Sequence, residues 1–120
     1  MAPLSYQIIE DQTRECLRRM ETLTDQFAVA VDEQAEAEVA YKVGIAKARL
    51  DYRYERTGQK VTDQMADDNA VVATEDLRRA HLIADAKLEA VKQASYVARD
   101  RLAALRSLMA SYRQAEGMGG

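Results

Sequence analysis

Tryptophan is absent from this 120-residue chain, and cysteine, histidine, proline and phenylalanine occur once each. A lone Cys16 allows no intramolecular disulfide and no cysteine-based metal site, and it fits a reducing, cytoplasmic setting. With one histidine, no glycine-rich phosphate loop and no HExxH or CxxC pattern, nothing is available to activate a nucleophile or to hold a cofactor. A binding or structural protein is expected, not an enzyme. No apolar run approaches the roughly 18 residues needed to cross a bilayer, and MAPLSYQIIEDQ has no basic region followed by an apolar one, so neither a membrane span nor a signal peptide is expected.

The only proline, Pro3, precedes any helical pattern, and three of the five glycines fall in the last four residues. Between them lies an alanine-rich sequence with 48% hydrophobic and 31% charged residues, a composition of long helices and coiled coils. The chain is therefore expected to be one all-α domain over residues 1–120. It should form an antiparallel hairpin with a helix over 5–56, a loop over 57–61, a second helix over 62–115 that is whole or broken near Asn69, and a frayed tail over 116–120.

Two heptad seams carry that expectation. From Ile9 the positions Thr13, Cys16, Met20, Leu23, Phe27, Ala30, Gln34, Ala37 and Tyr41 follow a 4-3 spacing. Cys16 fills core in this reading, and the polar members Thr13 and Gln34 set register. A cleaner seam starts at Leu77 and continues through His81, Ala84, Leu88, Val91, Ser95, Ala98, Leu102, Leu105, Met109 and Tyr112. Each helix also has a second apolar line: Val39, Val43, Leu50 and Tyr54 on the first, and Ala80, Ile83, Ala90, Ala94, Val97, Ala104 and Leu108 on the second. A hairpin covers only one flank of each helix, so the surplus points to a homo-oligomer.

Thr57-Gly58 reads as the stop of the first helix, and Thr62 followed by Asp63 as the N-cap of the next. Asp67-Asp68-Asn69 is a candidate break, with Thr74-Glu75-Asp76 as a fresh start. The acidic residues Asp63, Asp67 and Asp68 read as favourable charge at a helix start, with a metal site as the lesser alternative. Gly44 interrupts the first helix, either for close helix packing or to admit a ligand backbone.

The net charge of −3 hides blocks. Residues 10–38 hold nine acids and three bases, residues 41–60 six bases and two acids, residues 61–76 five acids and no base, and the rest eight bases and four acids. In the stretch from Tyr41 to Tyr54, clustered cations coincide with tyrosines and an apolar helical pattern. Lys42, Arg49, Arg53, Arg56 and, if the helix reaches it, Lys60 fall within an arc of roughly 60°. Such a basic stripe can neutralise phosphates, and tyrosine rings can stack on bases for about 1–3 kcal/mol each. The competing interpretation is a solvated face of ordinary ion pairs.

Within that stretch, Lys47-Ala48-Arg49-Leu50-Asp51-Tyr52 resembles the basic-helix motif of the UvsY recombination mediators of tailed phages. In that family too the motif lies near the middle of a short helical chain, before a glycine-containing loop. The C-terminal half lacks the family's tryptophan and phenylalanine, and beyond residue 60 the likeness is one of organisation only. The resemblance implies a ring-like homo-oligomer that binds single-stranded DNA in the host cytoplasm. It also implies contacts with the phage recombinase and single-strand-binding protein, and help in exchanging one for the other on the strand. It puts the DNA contacts on Lys47 and Arg49, with Lys42, Arg53, Arg56 and Lys60 in support. Two residues apart on a helix, Lys47 and Arg49 point about 200° apart, so both reach one strand only in a groove between helices or subunits. Two further classes stay open: a coiled-coil structural or assembly protein of a phage, and a small helical inhibitor of a host protein.

Overall fold

The computed structural model describes residues 5–119, and side chains as far as residue 117. The described residues form three helices and no strand: α1 (Tyr6–Glu55), α2 (Asp63–Ala73) and α3 (Glu75–Gly119). They fall into two compact units, one of residues 1–28 with 90–120 and the other of residues 29–89.

Start and stop signals act where the sequence places them. The Ser5 Oγ accepts a hydrogen bond from Ile8 N at 3.1 Å, satisfying one of the free N–H groups that open α1. Downstream, Gly58 adopts φ +87°, a left-handed conformation that an L side chain resists, and the helix ends there. Thr62 then caps α2 by accepting from Met65 N at 3.2 Å, with Asp63 in the first turn.

In the first unit, Ile9, Cys16 and Leu23 of α1 are buried together with Ala98, Leu102 and Leu105 of α3. Cys16 fills core as expected, with its Sγ 3.2 Å from the carbonyl oxygen of Ala98. Near the helix ends, the Tyr6 and Tyr112 rings lie 6.1 Å apart, so α1 and α3 run antiparallel. Phe27, expected in the seam, is 38% exposed. The Thr13 hydroxyl donates within its own helix, to Ile9 O at 2.8 Å.

In the second unit the pairing is again antiparallel. Gln34 donates to Asp85 on α3 at 3.0 Å, a cross-helix bond that fixes register, and the Tyr41 ring lies 5.7 Å from His81. Beyond the loop, α2 inserts Ala66 and Ala70, each 1% exposed.

Of the two places where the second arm was expected to be interrupted, the structure uses the fresh start at Thr74 and not Asn69. The helix runs unbroken through Asp67, Asp68 and Asn69, the chain bends at Thr74, where φ −110° and ψ 19° leave the helical range, and α3 begins at Glu75. Thr74 is 3% exposed, and its hydroxyl donates to Ala70 O at 2.6 Å while its own N–H does the same at 3.0 Å. Back-bonding of a threonine to the carbonyl four residues earlier bends helices. Arg78 N still reaches Thr74 O at 2.9 Å, so the bend keeps backbone bonds on both sides. The C-terminal stretch departs too: α3 remains helical to Gly119, where a frayed tail from 116 was expected, and Gly120 lies outside the described residues.

Gly44 faces this bend. A Cβ placed on it would overlap Leu77 Cδ1 and lie 3.5 Å from Thr74 Cγ2, which is close helix packing. Gly44→Ala is expected to be nearly neutral, because the Leu77 tip can turn away and alanine regains about 1 kcal/mol of helix propensity. Gly44→Leu should lower stability by about 1–3 kcal/mol through overpacking. Chemical denaturation of the two variants side by side checks both figures.

Candidate nucleic-acid interface

The KARLDY segment occupies the last turns of α1 in the second unit, and the helical period sends its neighbours to different surroundings. Ala48 and Tyr52 turn inward and are half-buried, whereas Val39, Val43, Leu50 and Tyr54 are exposed, Leu50 by 69% and Tyr54 by 82%.

The basic stripe is largely occupied. Arg49 Nε lies 2.7 Å from Asp67 Oδ1, and Arg53 pairs with Asp63, so two arginines of α1 are tied to the start of α2. Lys42 Nζ lies 3.0 Å from Glu38 Oε1 within α1. The hydrogen bond from Lys42 holds the Glu38 carboxyl below its ordinary range. The stabilisation from this pair is therefore present at neutral pH and lost as pH falls through that lowered value. Arg56 covers the Tyr52 ring at 3.7 Å and donates to Tyr52 O at 3.3 Å, with Glu55 at 3.8 Å. The acidic residues after the loop thus neutralise the cations before it. The sequence alone offered Asp63 and Asp67 as charge at a helix start or, as the lesser alternative, as metal ligands, and not as partners of the arginines.

Two of the six candidate cations have no carboxylate within ion-pair distance among the described residues. Lys60 is exposed in the loop after α1. Lys47 lines a groove of about 330 Å³ between α1 and the bend, together with Gly44, Tyr52, Asn69 and Thr74. Asp51 and Glu55 line the same groove, so its charge is mixed. The segment can present one free lysine beside an aromatic ring, and it can present arginines only by exchanging carboxylate for phosphate.

Among the described residues, no group of three or more potential metal ligands comes together, and no helix is long and apolar enough to cross a membrane. No family model, curated protein or solved structure matches this chain.

Proposed function

We propose that this chain is a non-enzymatic accessory protein of DNA recombination. It works as a homo-oligomer, binds single-stranded DNA without sequence preference, and helps load a recombinase onto strands covered by single-strand-binding protein. The observation that carries the reading is Lys47. It is a cation of the KARLDY motif with no ion-pair partner among the described residues, set in a groove beside Tyr52. Arg49 and Arg53 contribute where phosphate displaces Asp67 and Asp63, and Lys60 contributes without exchange.

A fluorescence-anisotropy titration of labelled oligo-dT should give affinity that falls steeply with salt, because each neutralised phosphate releases counterions. Lys47→Ala should weaken binding about three- to tenfold and flatten the slope of log affinity against log salt by about 0.7. A parent chain that does not bind at 50 mM salt ends the proposal.

A second reading, a coiled-coil assembly protein, is favoured by the apolar surface left open on each long helix. In the second unit Val39 and Val43 are exposed, and in the first unit Val97 and Leu108 are. Both readings expect self-association, and light scattering should give a mass well above the 13.4 kDa of one chain. They part on DNA: the assembly protein shows the raised mass with no salt-sensitive binding of single strands.

A further inference from the structure

The strongest unneutralised charge lies on α3, not on the KARLDY helix. Lys92, Arg99, Arg106 and Arg113 follow one another at intervals of seven residues, which on a helix sets them on one side about 10.5 Å apart. All four belong to the first unit, where residues 90–120 carry five bases against two acids. Blocks of opposite charge in the sequence would have α1 neutralise them, yet none has a carboxylate within 4 Å among the described residues. Instead Glu10 and Glu15 of α1 take Arg14 and Arg18 of their own helix. Arg113 donates to the Tyr6 hydroxyl at 3.1 Å, which, with a smaller contribution from the charge of Glu10, raises its pKa and keeps it cationic.

The same four cations edge two grooves between α1 and α3. One, of about 310 Å³, has Met20, Leu23 and Phe27 as an apolar floor and Lys92, Tyr96 and Arg99 along its rim. Tyr96 is 51% exposed, with the Arg99 guanidinium 5.7 Å from its ring centre. The second groove is edged by Arg106 and Arg113, with Glu10 and Arg14 opposite. Cations in a row, with an exposed ring and an apolar recess between the first two, match a single-stranded nucleic acid, whose backbone needs charge and whose unstacked bases need a π-face. An acidic protein segment would use the charges and leave the recess empty, and a duplex keeps its base faces covered.

We propose that the α3 row Lys92, Arg99, Arg106 and Arg113, with Tyr96 as stacking platform, is the principal contact surface for single-stranded DNA in this protein. The inference rests on the reading that the chain binds single strands, and it moves the main contact from the KARLDY segment in the second unit to α3 in the first.

The test is an anisotropy titration of the full chain with oligo-dT, alongside circular dichroism and light scattering. Arg99→Glu with Arg106→Glu should weaken binding at least tenfold, while Arg99→Lys with Arg106→Lys should keep it within about threefold and the helical signal should stay at the parent level. Tyr96→Ala should cost about tenfold and Tyr96→Phe little, since stacking needs the ring and not the hydroxyl. A blunt duplex of equal length should compete at least tenfold less well. A parent that does not bind sinks this inference together with the proposed function. A parent that binds, with a glutamate variant that binds equally well, sinks the α3 row and leaves Lys47 standing. Glutamate substitution that dissociates the oligomer while the dissociated chains bind DNA as before would make the row a self-association surface and overturn the inference.

Discussion

Replacing Leu23 by alanine is expected to lower stability by about 2–5 kcal/mol. Leu23 is buried almost completely, at 2% exposure, in a core that it shares with Ile9, Leu102 and Leu105 and that small residues such as Cys16 and Ala98 complete. Alanines cannot extend into the space that a lost isobutyl group leaves, so the cavity persists and its cost adds to the lost transfer free energy. For a chain of this length the drop in Tm should be on the order of 10 °C or more. Leu50→Ala is the informative control, because Leu50 is 69% exposed within one chain. In an isolated hairpin it should change stability by less than about 0.5 kcal/mol. In an oligomer that covers the Leu50 flank it should cost more, and the difference should depend on protein concentration. Thermal unfolding at two concentrations reads both effects. A Leu23→Ala variant as stable as the parent would mean that the seam does not carry the fold.

Asp63→Asn together with Asp67→Asn is expected to strengthen binding of single strands about tenfold at low salt. The two carboxylates hold Arg53 and Arg49, and a phosphate that approaches the KARLDY helix has to displace them. With amides in their place both arginines are free, two negative charges near the strand are gone, and about two more counterions can be released. The log–log salt slope should steepen by about 1.4. Stability should fall by no more than about 2 kcal/mol, since both pairs are partly exposed and the first turn of α2 loses one favourable charge. Unchanged affinity and slope in the double variant would show that these pairs do not compete with DNA, and would favour α3 as the contact surface. The experiment therefore separates the KARLDY segment from the α3 row as binding surfaces, independently of the glutamate substitutions on α3.

The helices themselves were legible in the sequence because the forces that set them are local. Heptad spacing put Ile9, Cys16 and Leu23 on one side of α1 and Ala98, Leu102 and Leu105 on one side of α3, and these six residues are buried. The loop was equally readable, since Gly58 is needed for a positive φ and Thr62 for an orphan N–H, and both requirements lie within three residues of their cause. The bend was half legible, since the sequence offered both a break at Asn69 and a fresh start at Thr74 and the structure uses the second alone. A threonine in a helix has either solvent or the carbonyl four residues back for its hydroxyl, and burial against Gly44 leaves Thr74 the carbonyl. The charges were the least legible. Composition showed a basic block before the loop and an acidic block after it, but only the register across the turn pairs Arg49 with Asp67 and Arg53 with Asp63. The α3 row could be counted from the sequence as well. That α1 spends its acids Glu10 and Glu15 on its own arginines and leaves that row open was decided by the packing of α1 and α3 in the first unit. An ion pair depends on distances of a few ångströms between elements that are remote in the chain, and no local periodicity encodes those distances.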